Sequence, residues 1–370
     1  MKGQQRYLYP GGNTPQGFYS YYNYILSQKE AEKIFCIKGG PGVGKSTMMK
    51  HIGEHFLEKG ENVDFFRCSS DPGSIDGVLI KTRAVAVIDA TAPHIIDPRN
   101  PGAVDVILNL GDLLNVNKLK KHRLEIVDSG ERTSAYFKMA YHYLRCASSN
   151  YDFMSAIFNE LICEEKTAEI IAALLDEINK AAGMEREHGR GRRRKFFACA
   201  VTPAGVINEI ESIATGVEKI IRVEAPDGFG NQRVLKPLSD ELIKAGHDIE
   251  EYYCSMDPDN RLEHIIIPEY GIALFTCNSY HGVSDMRKEK DFSNYIIDVD
   301  AYGKDIVNDI LEDQKKSAAA NIAKAVKMLK NAKLQHDMLE RYYIEAMSFN
   351  KLKKMEEAVI KEIEQIKLSI

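Results

Sequence analysis

Nothing in the sequence suits a disulfide-stapled or zinc-bound scaffold. Its seven cysteines are odd in number, scattered at 36, 68, 146, 163, 199, 254 and 277, and form no C-x-x-C pair; they read as reduced, small hydrophobic residues. Also absent is any run approaching the ~18 to 20 uninterrupted apolar residues that cross a bilayer, and the opening MKGQQRYLYPGGNT carries no apolar h-region. The expectation is a cytoplasmic protein with no membrane partner. A basic field is missing too. With 54 acidic against 49 basic residues the formal charge is -5, so there is no clear case for nucleic acid as a partner. What is present is apolar material, 44% hydrophobic residues in a chain of 370, which is enough for two or three packed cores and argues against disorder.

The chain is written twice. Sliding 42–72 onto 228–258 pairs Gly42 with Gly228, Gly44 with Gly230, Lys50 with Lys236, Gly60 with Gly246, Cys68 with Cys254, Ser69 with Ser255, Asp71 with Asp257 and Pro72 with Pro258. Average residue usage would give about two such matches. Upstream, Thr14-Pro15-x-Gly17 matches Thr202-Pro203-x-Gly205, and Glu32-Lys33-Ile34 matches Glu218-Lys219-Ile220. Downstream, Ala140, Leu144, Ala147 and Asp152 fall on Ala325, Leu329, Ala332 and Asp337.

Each copy reads alike. The Thr-Pro pairs supply an N-cap and a preset first-turn dihedral, which predicts an amphipathic helix after each. Short apolar strands follow at 34–38 and 220–223, then a Gly-rich loop, then a helix at 45–59 that places Met48, Ile52 and Phe56 on one face. Strands at 63–68, 84–89 and 104–110 complete an α/β pattern expected to form a parallel sheet with helices on both faces. Composition then turns rich in Lys, Glu, Ala and Leu, and no proline occurs after Pro268. The resulting division is a first copy at 1–183 (sheet core about 6–115, helical part about 116–183) and a second at 196–370 (sheet core about 196–302, helical part about 303–370). Each copy is expected to carry a helical hairpin or small helical subdomain behind its sheet. The basic stretch 184–195, MEREHGRGRRRK, is the linker candidate.

Gly39-Gly40-Pro41-Gly42-Val43-Gly44-Lys45-Ser46-Thr47 is a full G-x-x-x-x-G-K-[ST] pattern set between an expected strand and an expected helix. Glycines let the backbone wrap a phosphate with its N–H groups pointing inward, and the following helix adds its positive end. Lys45 would reach the β and γ phosphates, Ser46 would ligate Mg2+, and Thr47 would bond a phosphate near the helix start. Asp89, at the end of the apolar run 84–89, is the expected second magnesium ligand. Position 90 is Ala, so no carboxylate follows Asp89 to activate water. Asp71, His94 and Asp97 are the nearest candidates for a general base, and 91–98 reads as a loop over the C-terminal strand ends.

In the second copy Lys45 faces Asn231, Ser46 faces Gln232 and Asp89 faces Thr276, while Glu224 and Asp227 add negative charge. The copy keeps the turn and loses the groups that handle phosphate. It reads either as a structural partner or as a half that closes over the first site, with arginines 190–194 supplying a charge or simply solvated.

These residues resemble the P-loop NTPase superfamily. The wider pattern, GGNTPxGFYSxY at 11–22, KGGPGVGKST, DATAPH at 89–94 and an eroded second loop, resembles a family of tandem, duplicated P-loop ATPases from spore-forming Gram-positive bacteria. The resemblance implies two tandem Rossmann-like P-loop domains that bind ATP with Mg2+ and hydrolyse it at one Walker A site, with Lys45 and Asp89 catalytic. Phosphoryl transfer to a small acceptor and a nucleotide-dependent switch are the alternatives. Three further features have two readings each. The aromatic run Phe18, Tyr19, Tyr21, Tyr22 and Tyr24 suits core packing or a stacked adenine; Lys118–Arg123 suits a solvated helix face or a lid; the C-terminal helices suit an intramolecular hairpin or a protein partner.

Overall fold

The computed structural model describes residues 2–93, 96–182, 189–224, 231–277, 291–297 and 301–368. The first half runs β1 (Gln5–Leu8), β2 (Gly11–Thr14), β3 (Gly17–Ser20), β4 (Lys33–Lys38), α1 (Lys45–Glu58), β5 (Val63–Arg67), β6 (Ile75–Ile80), β7 (Val85–Asp89), β8 (Asp105–Asn109), α2 (Val116–Lys121), α3 (Arg123–Leu161) and α4 (Glu164–Ala182). The second half runs β9 (Arg193–Phe196), β10 (Cys199–Thr202), β11 (Gly205–Asn208), α5 (Ile210–Ile213), β12 (Lys219–Glu224), α6 (Gln232–Lys244), β13 (Ile249–Cys254), β14 (Asp257–Ile267), β15 (Ile272–Cys277), β16 (Asp291–Ile296), α7 (Ala301–Ala346) and α8 (Phe349–Gln365).

Each half builds one six-stranded sheet, in the orders β1-β5-β6-β7-β4-β8 and β9-β13-β14-β15-β12-β16. The two orders are the same element for element, so the duplication extends to topology. The sheets are mixed where an all-parallel sheet was expected: β6 runs antiparallel to both β5 and β7, and β14 does the same in the second half. Tight returns after β5 and before β7 allow this, because antiparallel neighbours need only a short turn whereas parallel ones need a crossover.

The Thr-Pro segments also differ from expectation. Thr14 to Gly17 closes the hairpin β2–β3, and Thr202 to Gly205 closes β10–β11. In each turn the threonine hydroxyl donates to the glycine carbonyl at 2.8 Å and accepts from the N–H two residues on at 3.1 Å. Gly17 and Gly205 sit at φ 111° and 118°, a region that favours glycine and turns the chain back before a helix can start. Helix α1 keeps its expected face: Met48, Ile52 and Phe56 are fully buried.

The two helical hairpins are exchanged, which corrects the expectation that each lies behind its own sheet. Helix α3 has 39 residues and is therefore roughly 58 Å long, enough to carry α4 away from the sheet that precedes it. Met154, Phe158, Leu174 and Ile178 of α3 and α4 enter the core of the second sheet with Val234, Leu238 and Leu274. Reciprocally, Met347, Leu352, Val359 and Ile363 pack with Met48, Ile52 and Phe56 of the first half. The long helices α3 and α7 lie against each other, and Ala140, Leu144, Ala147, Ala325 and Leu329 meet in one buried cluster. Small side chains at matched positions let the two backbones approach closely.

A local two-fold relation joins the sheets. Tyr9 and Phe197 exchange backbone hydrogen bonds, 3.2 Å from the Tyr9 N–H and 2.9 Å from the Phe197 N–H. Beside them the buried Arg6 guanidinium donates two bonds to Asp64, both 2.8 Å, and two to Glu250, at 2.9 and 3.0 Å, while Arg194 donates to Glu250 at 2.8 Å. The linker candidate thus ends inside a strand: β9 takes up Arg193 and Arg194, and the part at 184–188 lies outside the described residues.

Candidate functional site

The loop after β4 is shaped by two glycines in the left-handed region, Gly42 at φ 67° and Gly44 at φ 89°, the latter forming the N-cap of α1. Val43 between them is fully buried and anchors the loop. The chain then enters α1 at Lys45, where the first-turn N–H groups of a helix lack intrahelical acceptors. Lys45 Nζ folds back onto the loop, donating to the carbonyls of Gly39 and Gly40 at 2.7 Å each.

Strand β7 lies directly beside β4, with Asp89 paired in register to Ile37. That pairing places Asp89 Oδ2 3.5 Å from Lys45 Nζ. The other carboxylate oxygen accepts from the Thr91 N–H at 2.9 Å. Thr91 in turn clasps the start of the loop, its hydroxyl donating to the Gly39 carbonyl at 3.0 Å and accepting from the Gly39 N–H at 3.2 Å. Ser46 Oγ accepts from the Ile75 N–H at 3.0 Å, which ties α1 to β6. Thr47 is exposed, whereas Pro41 is half-buried. Lys45 and Asp89 thus meet at one end of β4 and β7, and Ser46 follows Lys45 in the first turn of α1. Ser46 Oγ and Asp89 Oδ2 are oxygens of the kind that hold magnesium.

The three general-base candidates fare differently. Asp71 is engaged: its carboxylate accepts from the Ser74 hydroxyl at 2.8 Å and the Gly73 N–H at 3.3 Å, and it faces Lys333 of α7 at 3.3 Å. Burial alone would raise its pKa, but Ser74 and Lys333 outweigh this and lower it. Asp97 is exposed and lies 3.4 Å from Lys38. His94 lies outside the described residues. Lys38, which sequence reasoning passed over, donates to the carbonyls of Ala90 at 2.7 Å and Ile96 at 3.0 Å and so holds the chain after β7.

The exchanged helices cover this loop. A Cβ on Gly40 would lie 2.5 Å from Tyr343 Cε1, one on Gly42 2.9 Å from the Glu340 carbonyl oxygen, and one on Gly44 2.6 Å from Leu352 Cδ2. The loop glycines therefore serve contact with α7 and α8 as well as backbone shape. No sequence signal could have assigned these contacts, since they follow from which sheet each hairpin covers.

At the matched place in the second half, Asn231 Nδ2 donates to Thr276 Oγ1 at 3.0 Å and to the Val223 carbonyl at 3.3 Å. The pair stands where Lys45 and Asp89 stand in the first half. Glu224 is held by Arg222 at 2.8 Å, while Asp227, Gly228 and Gly230 lie outside the described residues. Three of the four arginines considered as charge donors are engaged elsewhere: Arg192 with Asp248 and Glu30, Arg193 with Asp240 and Glu251, Arg194 with Glu250. Lys118 donates to the Glu345 carbonyl at 2.8 Å, tying α2 to the end of α7. The aromatic run bridges the two halves: Tyr21 packs 4.8 Å from Phe197 and 5.8 Å from Tyr253, ring centre to ring centre, and Tyr22 donates to Asp76 at 2.8 Å.

Residues 19–78 match the family model described as Nephrocystin 3, N-terminal. The matched stretch runs from β3 through the loop and α1 into β6, a minor part of the chain. No curated protein and no solved structure matches the chain. Among the described residues, no helix is long and apolar enough to cross a membrane.

Proposed function

We propose that the first half is a P-loop nucleoside triphosphatase that binds ATP with Mg2+ in the cytoplasm, within a tandem P-loop architecture whose second half is catalytically degenerate. The observation that carries this reading is the approach of Lys45 and Asp89 at the start of α1, with Lys45 Nζ 3.5 Å from Asp89 Oδ2. Loop N–H groups from 39–47 would cradle the phosphates, and the Lys45 ammonium, now resting on the Gly39 and Gly40 carbonyls, would transfer to phosphate oxygens, exchanging neutral acceptors for charged ones. Ser46 and Asp89 would hold the magnesium ion, which when bound neutralises phosphate charge. Asp89 is oriented for this by the Thr91 N–H.

A second reading is phosphoryl transfer to a small acceptor. It is favoured by Ala90, which follows Asp89 and offers no group to activate water, and by the engagement of Asp71 with Ser74 and Lys333. Purified protein assayed for magnesium-dependent ATP binding and phosphate release, beside Lys45→Ala and Asn231→Ala, tests the first reading. Turnover lost only in the Lys45 variant supports it. Turnover that rises on adding an acceptor favours the second, and absence of ATP binding by the wild type overturns both.

A further inference from the structure

The two halves place a pair of aspartates at the same spot, and only one pair has a lysine between its members. In the first half Lys333 of α7 sits 3.3 Å from Asp71 and 2.8 Å from Asp337. The spacings that relate the halves put Asp257 at the place of Asp71, Asp152 at that of Asp337, and Ser148 at that of Lys333. The ends of the helices confirm the alignment, since α3 and α4 begin their junction at Leu161 and Glu164 and α7 and α8 at Ala346 and Phe349. Ser148 is at the expected location, donating to the Met256 carbonyl at 3.0 Å. It is too short to bring a charge to either carboxylate.

Where the lysine is missing there is a cavity of about 350 Å³, lined in part by Asp152, Asn159, Gln232 and Asp257. The side-chain oxygens of Asn159 and Gln232 are buried and accept no hydrogen bond, an arrangement that costs free energy unless a donor is supplied. Arg261 also lines the cavity, but its guanidinium lies over the Tyr151 ring at 5.3 Å and faces Glu263 at 3.7 Å. The charge balance is in keeping with this: burial and then Asp257 raise the Asp152 pKa against the pull of Arg261, whereas Asp71, against its own burial, is lowered by the Ser74 hydroxyl and then by Lys333.

We infer that this cavity is a binding site for a small primary amine, whose ammonium occupies between Asp152 and Asp257 the position that the Lys333 ammonium occupies between Asp337 and Asp71. An ammonium carries three N–H donors and no acceptor. Two amide oxygens without donors and two carboxylates, of which Asp257 already accepts at Oδ1 from the Asn260 N–H and side-chain amide at 3.2 and 3.1 Å, match it, and a phosphate anion meets like charge in the same space. The inference goes beyond the nucleotide reading and stands independently of it.

The test is calorimetric titration of the full chain with 1,4-diaminobutane, with tetramethylammonium chloride and sodium phosphate as controls. Saturable binding of the diamine is expected, with neither control binding. Asp152→Asn lies at the exposed mouth and should weaken binding about tenfold or more, the loss of one charge-assisted hydrogen bond. Ser148→Lys, which supplies the first half's own ammonium, should abolish binding while raising the melting temperature, and Lys45→Ala should leave binding unchanged. Absence of saturable diamine binding by the wild type, equal binding by the Asp152 and Ser148 variants, or binding of tetramethylammonium or phosphate in place of the diamine each overturns the assignment.

Discussion

Lys45 Nζ lies 3.5 Å from Asp89 Oδ2, and the residues that replace this pair in the second half, Asn231 and Thr276, still touch, through a hydrogen bond of 3.0 Å. The contact has outlived its charge. A buried ion pair can be exchanged for a neutral pair of similar shape at little cost, whereas removing one partner alone is expensive. The second half thus keeps the geometry of the strand ends without the groups that would handle phosphate.

A division of labour follows. Lys45→Ala is expected to reduce phosphate release about 10² to 10³-fold, the usual loss when a group aimed at developing charge is removed. Asn231→Ala is expected to leave the rate unchanged and to cost about 1–3 kcal/mol of stability, because the Val223 carbonyl and the Thr276 hydroxyl lose their donor. Steady-state assays alongside denaturant melts separate the two effects. Equal loss of rate in both variants would place a second active site in the second half.

The exchange of hairpins predicts where a core mutation is felt. Ile363 is fully buried among first-half residues although it lies near the end of the second, and Ile363→Ala should cost about 2–5 kcal/mol. Hydrogen exchange should speed up first in α1, with α6 protected longer. Loss of protection confined to α6 would mean that α8 serves its own half.

Acid should loosen the junction between the sheets. Burial raises the Glu250 pKa, but Arg6 and Arg194 outweigh it and hold the carboxyl at about 2; Asp64 is likewise pulled well below the usual carboxylate range by Arg6 and Lys81 against its own burial. Folded values below unfolded ones mean that the contribution is full above the unfolded value of about 4 and is lost as pH falls towards about 2. Thermal melts from pH 6 to pH 2 should decline over that window. In Arg6→Met the decline should flatten, since the carboxylates then lack their main partner; an unchanged slope would assign the acid response to other groups.

Much of this was legible in the chain. The strands at 33–38, 63–67, 85–89 and 105–109 and helix α1 fall where apolar runs and the Gly-rich loop put them, and the repeat of about 186 residues carries through to strand order. The Thr-Pro turns were misjudged because a helix N-cap and a hairpin turn share the same first two residues; Gly17 and Gly205, with positive φ, decide between them. Strand β6 went unseen because Ile75 to Ile80 includes Asp76 and Gly77 and follows a turn-rich stretch. The exchange of helices could not be read at all, since an apolar helix face shows that it is covered and not by which sheet. For the same reason Lys333 and Tyr343, which reach Asp71 and Gly40, had no signal beyond their place on an amphipathic helix.

The contact between the loop and α7 gives a direct measure of coupling between the halves. Gly40 is not at positive φ, so alanine there meets no backbone penalty of its own; its Cβ would instead lie 2.5 Å from Tyr343 Cε1. Gly40→Ala should therefore cost about 1–3 kcal/mol by overpacking, and Tyr343→Ala should cost stability through lost burial. The double variant should be more stable than the sum of the two predicts, with an interaction of about 1 kcal/mol or more, because the clash vanishes with the ring. A coupling near zero would mean that α7 moves off the loop in solution, leaving the glycine free to accept a side chain without consequence for the other half.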